Sequence, residues 1–555
     1  MESCDVLIIG AGPVGTVLAL ELALHRVSFR IIDKFPARSD KSRSLGVHPR
    51  TLELLNRQGE AHALISRGKV LDGGAIFINQ KLVGDLKIDD LGTTDTEFPR
   101  PFGISQTEVE SFLDERLAKY GFEVERPINA ISITQDDNGV TTIVDLPDGS
   151  QASVRSKYVV GCDGAHSLVR HSAKNLTFEG APYPMEFMLC DARIRDSSLP
   201  KDRVSLFMDN GTAGTLAVFP FSGGLVRFVG SGKMMAQIQG DPTLEDFQAF
   251  IRVKLPAPAG TLYDPMWITR YRIHSRCVNN YRDRRLFVAG DAAHIHSPAG
   301  AQGMNTGIQD SINLGWKLAL ALHNKTTDPD ALLDSYNVER HPIGLRLLSG
   351  TDRLFKFMTG SGTFFTFLRN AFLVWVLPWL FASRSRRNYL FRHASGFGIN
   401  YRGSPLVGTA EGFKGPIRGG DRLPAGHKLK KVGRGYNEEG AEVASVQRLC
   451  AGAGHHLLLF AGTPKYSATT ADALAQAPDQ VSAAMRSDVA THVLYVDAPL
   501  LNFDAEECDL YTDLRGEIHA QFGFSEPGYV LVRPDGYVAH IGPLSKLAGL
   551  LEFLK

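Results

Sequence analysis

The stretch from Val6 to Asp33 most constrains what this chain can fold into. Val6 to Ile9 is a short, all-apolar strand that runs straight into Gly10-Ala11-Gly12-Pro13-Val14-Gly15. An apolar helix follows over Val17 to Leu24, then a second strand, Phe29-Arg30-Ile31-Ile32, closed by Asp33. This is the strand–helix–strand context that a dinucleotide fingerprint requires. Gly10 makes the tight turn, Gly12 lets a pyrophosphate approach the backbone, and Gly15 lets helix and strand pack closely. Asp33 falls about 20 residues on, where a carboxylate accepts hydrogen bonds from an adenosine ribose. A bare glycine pattern is weak evidence; strand, helix, second strand and acid in register make it strong. It does not separate FAD from NAD.

Two later strands end in the same way. Tyr158 to Gly161 leads into Cys162-Asp163-Gly164, with a helix expected over Val169 to Ala173. Leu286 to Ala289 stops at Gly290-Asp291, and a Pro- and Gly-containing loop, Ser297 to Gly303, feeds a helical pattern over Ile308 to Ala321. Exposed N–H groups and the positive end of a helix dipole then face whatever sits in that loop. Open α/β sheets bind ligands at the carboxyl ends of their strands, so Asp33, Asp163 and Asp291 point to one edge.

Between these motifs the pattern changes. Arg43 and Arg50 bracket Gly46 on the loop after the second strand, where two cations suit a phosphate or ribose; Thr51 is the expected cap of the next helix. Gly73 to Pro101 alternates short apolar runs with turns. Ser105 or Thr107 is the expected cap of a helix through Leu117, with Gln106 beside its start. Asp136-Asp137-Asn138-Gly139 is the strongest hairpin signal in the chain. Residues 182–276 read as a mostly antiparallel sheet forming one wall of a pocket, carrying Phe207, Phe219, Phe221 and Arg227. Aromatics there are more often core than ligand contacts. Fresh Gly and Pro punctuation from Pro405 opens a further segment large enough for its own domain. Within it a helix-like stretch surrounds Leu510 to Phe522, and a hairpin covers Tyr529 to His540.

Composition narrows the class. At 555 residues, two to four domains are expected. A formal net charge of zero gives no electrostatic footprint for nucleic acid. The six cysteines are scattered without CxxC or metal spacing, so reduced packing thiols are expected and no metal. Asp5 interrupts any apolar signal-peptide core, and a cytoplasmic location is the expectation. The apolar run Ala371 to Ala382 is short and broken by Pro378, so a buried or capping helix is expected, with peripheral membrane contact the minor reading.

With these motifs in order, the chain resembles the FAD-dependent aromatic hydroxylases of the p-hydroxybenzoate hydroxylase and phenol hydroxylase type, the group A flavoprotein monooxygenases. The matching features are Gly10 to Gly15 with Asp33, a "DG" motif at Asp163-Gly164, and a "GD" motif at Gly290-Asp291 with its loop to Asn305. The resemblance implies an α/β fold: a Rossmann-type FAD-binding domain (1–72, 100–181 and 277–400), an inserted, mostly antiparallel substrate-binding sheet (73–99 and 182–276), and a thioredoxin-like C-terminal α/β domain (404–555). The last lacks CxxC, so packing or homodimer contacts are expected there.

The resemblance also implies site roles. Gly10, Gly12 and Gly15 hold the FAD pyrophosphate. Asp33 takes the ribose, where the family more often has Glu. Arg43 contacts FAD from a mobile segment, and Gln106 contacts the ribityl or pyrophosphate region. Asp163 lies by the pyrophosphate and is linked to NADPH use, and Asp291 binds the ribityl chain. The backbone of Gly303, Met304 and Asn305 faces the flavin pyrimidine edge, with a helix starting after Asn305. Pro298 and Gly300 shape the oxygen-reacting side. Phe219 and Phe221 are candidate substrate contacts; His48 and Arg227 are candidate catalytic residues, His48 being more often structural at such a place. The implied chemistry uses NAD(P)H, NADPH favoured, and O2. It hydroxylates a phenolic or polycyclic aromatic, polyketide-derived compounds included, through a C4a-hydroperoxyflavin. Baeyer–Villiger or ring-opening oxygenation, and a flavin-binding interaction module without turnover, are the alternatives. No second complete GxGxxG exists: Ala451-Gly452-Ala453-Gly454 precedes its strand, so NAD(P)H must bind without its own Rossmann unit. The Trp375–Trp379 stretch does not supply a halogenase WxWxIP motif.

Overall fold

The computed structural model describes residues 2–554 other than 43, 45, 60, 89, 90, 92, 94, 210–213, 298, 299, 361, 427, 428, 432–441, 444, 464–467, 486–488 and 497–508. Four neighbouring strands, Leu286–Val288, Gln151–Gly161, Glu2–Ile9 and Phe29–Ile32, run parallel in that spatial order. Their carboxyl ends are stitched together by backbone bonds. Gly10 N–H donates to Ile32 O (2.9 Å), Cys162 N–H to Ile9 O (2.8 Å) and Ala289 N–H to Gly161 O (3.0 Å). Val6, Leu7, Ile8, Val159, Val160, Phe287 and Val288 are wholly buried, as strands covered on both faces require. Helix Pro13–Leu24 is apolar nearly all round and buried. The Asn129–Asp136 and Gly139–Asp145 hairpin extends the sheet antiparallel to Gln151–Gly161.

The second sheet has eight strands: His294–Ile295, Ala259–Val278, Phe178–Ser197, Leu225–Ser231, Thr215–Pro220, Arg203–Met208, Gly73–Ile78 and Lys81–Lys87. All pair antiparallel except Arg203–Met208 with Gly73–Ile78. The two-residue period sorts its faces. Met188, Cys190, Leu216, Val218 and Phe228 pack beneath Phe247, Phe250 and Ile251 of helix Leu244–Lys254. Thr243 and Asp246 start that helix with a reciprocal capping box. Phe207 belongs to the same core, stacked on Phe77 at 4.6 Å. The opposite face carries Phe219, Arg227, Asp191 and Trp267, which stand side by side in register on four adjacent strands.

The C-terminal domain has the thioredoxin-like order. Strand His456–Phe460 lies parallel to Ala490–Tyr495 and antiparallel to Gly528–Val532, which pairs with Val538–Pro543. It is bolted to the first domain by buried charge. Arg533 bridges Glu339 (2.6 and 2.8 Å) and Asp535, while Lys317 meets the same Glu339 at 2.8 Å.

Several local expectations change. The helix-like stretch at 510–522 is a strand, Asp509–Thr512, then a short helix, Glu517–Phe522, because Gly516 sits in the left-handed region between them. Thr51 is not a cap. Pro49, preset for the first helical turn, starts helix Pro49–Leu55 and places His48 at the N-cap. Of the two candidate caps, Ser105 serves, accepting from Glu108 N–H at 3.3 Å. The apolar run 371–382 is not buried. It belongs to a helical run, Thr363–Ala382, with only 17% of its most apolar window inside the protein; within 371–382 Leu373 is the point of burial, packed on Ile78 and Met208 of the second sheet.

Candidate functional site

The three glycines of the first turn differ in what surrounds them. A Cβ on Gly10 would lie 2.4 Å from Cys162 O, and Gly10 sits at φ +99°. A Cβ on Gly15 would lie 1.9 Å from Gly10 O, so only glycine allows the helix to start this close to its strand. A Cβ on Gly12 would meet nothing within 4 Å. Gly12 therefore opens onto the carboxyl edge of the sheet, at the N-cap of helix Pro13–Leu24. This is a cradle for a pyrophosphate, and a side chain there would fill it.

Asp33 closes the turn. Its Oδ2 accepts Ala11 N–H at 2.8 Å, its Oδ1 accepts Phe35 N–H at 2.9 Å, and Arg126 approaches Oδ1 at 3.3 Å. Arg126 also donates to Ala11 O (3.3 Å). Sequence reasoning missed it, because it lies nearly a hundred residues away with no motif around it. Asp163 stands at the next strand end, but its Oδ2 is turned onto the N-terminus of helix Leu168–Ser172, accepting Leu168 N–H (2.7 Å) and Val169 N–H (3.3 Å). Burial pushes its carboxyl up. Asp291 is exposed on the short turn Gly290–Ala292 at the third strand end.

Helix Gly303–Leu322 begins at Gly303, not after Asn305, so Gly303, Met304 and Asn305 form its first turn. The Asn305 side chain is buried and spent within the protein. Its Oδ1 accepts His48 N–H (2.7 Å), and its Nδ2 donates to Gly46 O (3.0 Å) and Ala301 O (2.9 Å). His48 Nε2 lies 2.9 Å from Gly300 O, and burial lowers its pKa. His48, Asn305 and Gly300 thus join the loop before helix Pro49–Leu55 to the loop before helix Gly303–Leu322. Arg50, expected beside a phosphate, turns away. It pairs with Glu53 (3.0 Å) and lies over the Tyr537 ring of the C-terminal domain (4.7 Å). Arg43 and Pro298 lie outside the described residues.

Arg227 is fully buried and links the second sheet to the loop that precedes helix Pro49–Leu55. It forms a two-pronged pair with Asp191 (2.7 and 2.6 Å) and donates to Ser44 O (3.1 Å) and Ser42 O (2.5 Å) on either side of position 43. Ser42 Oγ in turn accepts Gln106 N–H (2.8 Å), while the Gln106 side chain donates to Glu110 (2.7 Å). Phe221 is buried under the Arg227 guanidinium at 5.4 Å, and Trp267 lies 5.7 Å from it. Phe219, Val229, Trp267 and Tyr271 are half-buried on this face. The reading of the aromatics missed Trp267, Tyr271 and Asp191; only the register of the sheet brings them beside Arg227.

A dinucleotide cradle, with a sheet face of aromatics around a buried cation tied to the same half of the chain, is the architecture of a nucleotide-dependent oxidoreductase. Residues 3–351 match the family described as FAD binding domain, and residues 466–555 the one described as phenol hydroxylase, C-terminal dimerisation domain. The chain belongs to the FAD-binding-domain family and is an FAD-dependent aromatic monooxygenase. It is 37% identical over 356 residues to an uncharacterized aromatic compound monooxygenase of Bacillus subtilis (strain 168), covering 63% of this chain and 68% of that one. It is 29% identical over 543 residues to pentachlorophenol 4-monooxygenase of Sphingobium chlorophenolicum, covering 97% and 94%. The OxyS anhydrotetracycline hydroxylase from Streptomyces rimosus superposes with TM-score 0.72 at 26% identity, covering 100% of this chain and 98% of that structure.

Proposed function

We propose that this enzyme hydroxylates a phenolic or polycyclic aromatic of polyketide type, using O2 and NAD(P)H, with NADPH the favoured donor. The observation that carries the reading is the sheet face bearing Phe219, Val229, Trp267 and Tyr271, whose central Arg227 is hydrogen-bonded to the nucleotide-binding half of the chain. Flat rings suit a flat aromatic ligand. The relatives named for pentachlorophenol and for anhydrotetracycline bracket the substrate range.

In this reading Gly10, Gly12 and Gly15 admit the pyrophosphate, Asp33 takes the adenosine ribose, and Asp291 takes the ribityl chain. The first N–H groups of helix Gly303–Leu322 would favour negative charge on the flavin of a bound FAD. FAD, when bound, supplies hydride acceptance and oxygen activation; the protein binds, orients and excludes water. Gln106 borders the cofactor, and Arg227 positions Ser42 and Ser44. Gly300 borders the oxygen-reacting side. Because the Asp163 carboxylate accepts the Leu168 and Val169 N–H groups, its part in NADPH use is indirect, through the shape of that loop. His48 is a positioning residue, since its ring and backbone are both engaged. Residues 73–99 and 182–276 form the substrate domain, and 404–555 carry homodimer contacts.

The test is NADPH oxidation by the FAD-loaded protein across simple and polycyclic phenols under labelled dioxygen. Substrate-stimulated oxidation with one labelled oxygen in the product is expected. Bound FAD with no oxidation of either nicotinamide across the panel would overturn the reading and favour an interaction module.

A further inference from the structure

The helical run Thr363–Ala382 is apolar on both sides. Its inner side is held by the second sheet, where Leu373 packs with Ile78 and Met208. Arg369 on that side is buried, donating to Met358 O (3.1 Å) and Asp209 O (3.0 Å). The outer side exposes Phe364 (75%), Phe367 (68%), Trp375 (78%) and Trp379 (59%). Two of the four tryptophans of the whole chain stand there.

Charge is just as one-sided. From Arg353 to Ala410 there is no Asp or Glu, but eight Lys or Arg, including Arg384, Arg386 and Arg387 just after the apolar run. Arg386 donates to Trp379 O (2.8 Å) and lies 4.1 Å from the Trp379 ring centre; Arg387 donates to Phe381 O (2.6 Å). Arg392 pairs with Asp95 (2.8 Å) and Arg402 with Asp421 (2.7 Å), so the basic groups at the end of the exposed aromatic face are Arg384, Arg386 and Arg387.

We propose that this face docks the enzyme on an anionic lipid surface. Exposed aromatics beside a basic flank are the chemistry of a helix lying in the membrane–water interface, with indoles at headgroup depth and arginines toward anionic lipids. The run is 20 residues, long enough to cross a bilayer. Its inner side is committed to protein, and Arg369 lies within it, so it lies flat and does not span. A second copy packed through the same face would bring the same segment, again without an Asp or Glu of its own, to meet the basic flank. A lipid surface with acidic headgroups satisfies both the apolar and the charged part.

The test is flotation of the FAD-loaded protein with vesicles of phosphatidylcholine alone and of phosphatidylcholine mixed with phosphatidylserine. Flotation with the acidic vesicles is expected, weakening as salt rises. The Phe367→Ser/Trp375→Ser variant should lose about tenfold in vesicle affinity, from the apolar area it withdraws, while keeping its FAD. An Arg384→Gln/Arg386→Gln variant should erase the preference for phosphatidylserine. No flotation with either vesicle, or flotation unchanged in the aromatic variant, overturns the proposal. If flotation is absent and the aromatic variant halves the native mass in solution, the face belongs to a second copy of the chain.

Discussion

Asp310 Oδ2 accepts the backbone N–H of Gly290 at 3.1 Å, joining the turn that presents Asp291 to the helix whose first turn is Gly303 to Asn305. The same oxygen lies 2.9 Å from His294 Nε2, and the other accepts Arg340 Nε at 2.7 Å. All three side chains are fully buried. Burial works to raise the Asp310 carboxyl, but Arg340 and His294 together hold it below the usual carboxylate range. Asp310→Ala leaves Arg340 buried without its carboxylate, a loss of about 3–5 kcal/mol. The variant should unfold at lower urea and hold FAD more weakly, since the Asp291 turn loses its anchor. Unchanged stability and unchanged FAD affinity would remove this role.

Gly12 and Gly15 separate cofactor binding from folding. A Cβ on Gly12 meets no protein atom, whereas one on Gly15 would strike Gly10 O at 1.9 Å. Gly12→Val should fold with near-normal thermal stability yet lose FAD absorbance, because its side chain occupies the pyrophosphate approach. Gly15→Val should lose both. A stable Gly12→Val protein that still carries stoichiometric FAD would refute the assignment of the cradle.

What the sequence made legible is local. The turn at Gly10 to Gly15, the strand ends at Asp33, Asp163 and Asp291, and the hairpin at 136–139 each follow from residues within a few positions of one another. Arg126 beside Asp33, Asp191 beside Arg227 and Asp310 beside Gly290 are pairings across the fold, and no short pattern announces them. Arg50 misled for the same reason. Its neighbours read as a phosphate loop, while its partner Tyr537 is supplied by the other end of the chain. The run 371–382 misled because hydrophobicity alone does not say how much of a helix the fold covers. The glycine turn was readable because it demands particular residues; the substrate wall was not, because many side chains can line it.

Arg227 and Asp191 should behave as a coupled pair. Arg227→Ala strands Asp191 beneath the sheet and frees the carbonyls of Ser42 and Ser44, so a loss of about 3–5 kcal/mol is expected. Arg227→Met with Asp191→Leu removes both charges and should recover much of that stability. Activity should not recover with it, because the segment on either side of position 43 still lacks its anchor. Chemical denaturation of the two single variants and the double, with NADPH oxidation measured on each, checks both halves. Full activity in the double variant would reduce Arg227 to a structural role.

The C-terminal domain should be acid-sensitive. Burial lowers His455, His492 and His540 to about 4 and His456 to about 3, from an ordinary value near 6.5. His456 Nδ1 and His492 Nε2 stand 3.1 Å apart, a contact that suits neutral rings. Between those depressed values and 6.5 the unfolded chain binds more protons than the folded one, so stability rises with pH and is lost as pH falls below about 6.5. Each fully shifted histidine contributes a slope of about 1.4 kcal/mol per pH unit within that window. Urea midpoints followed by near-ultraviolet circular dichroism from neutral pH to about pH 5 should fall steeply. Replacing both rings, His456→Leu with His492→Leu, removes the hydrogen bond from both sides and two of the four contributions. The double variant should therefore show a shallower decline with acid than the parent. An identical pH slope in parent and variant would show that these histidines are not held neutral by the fold.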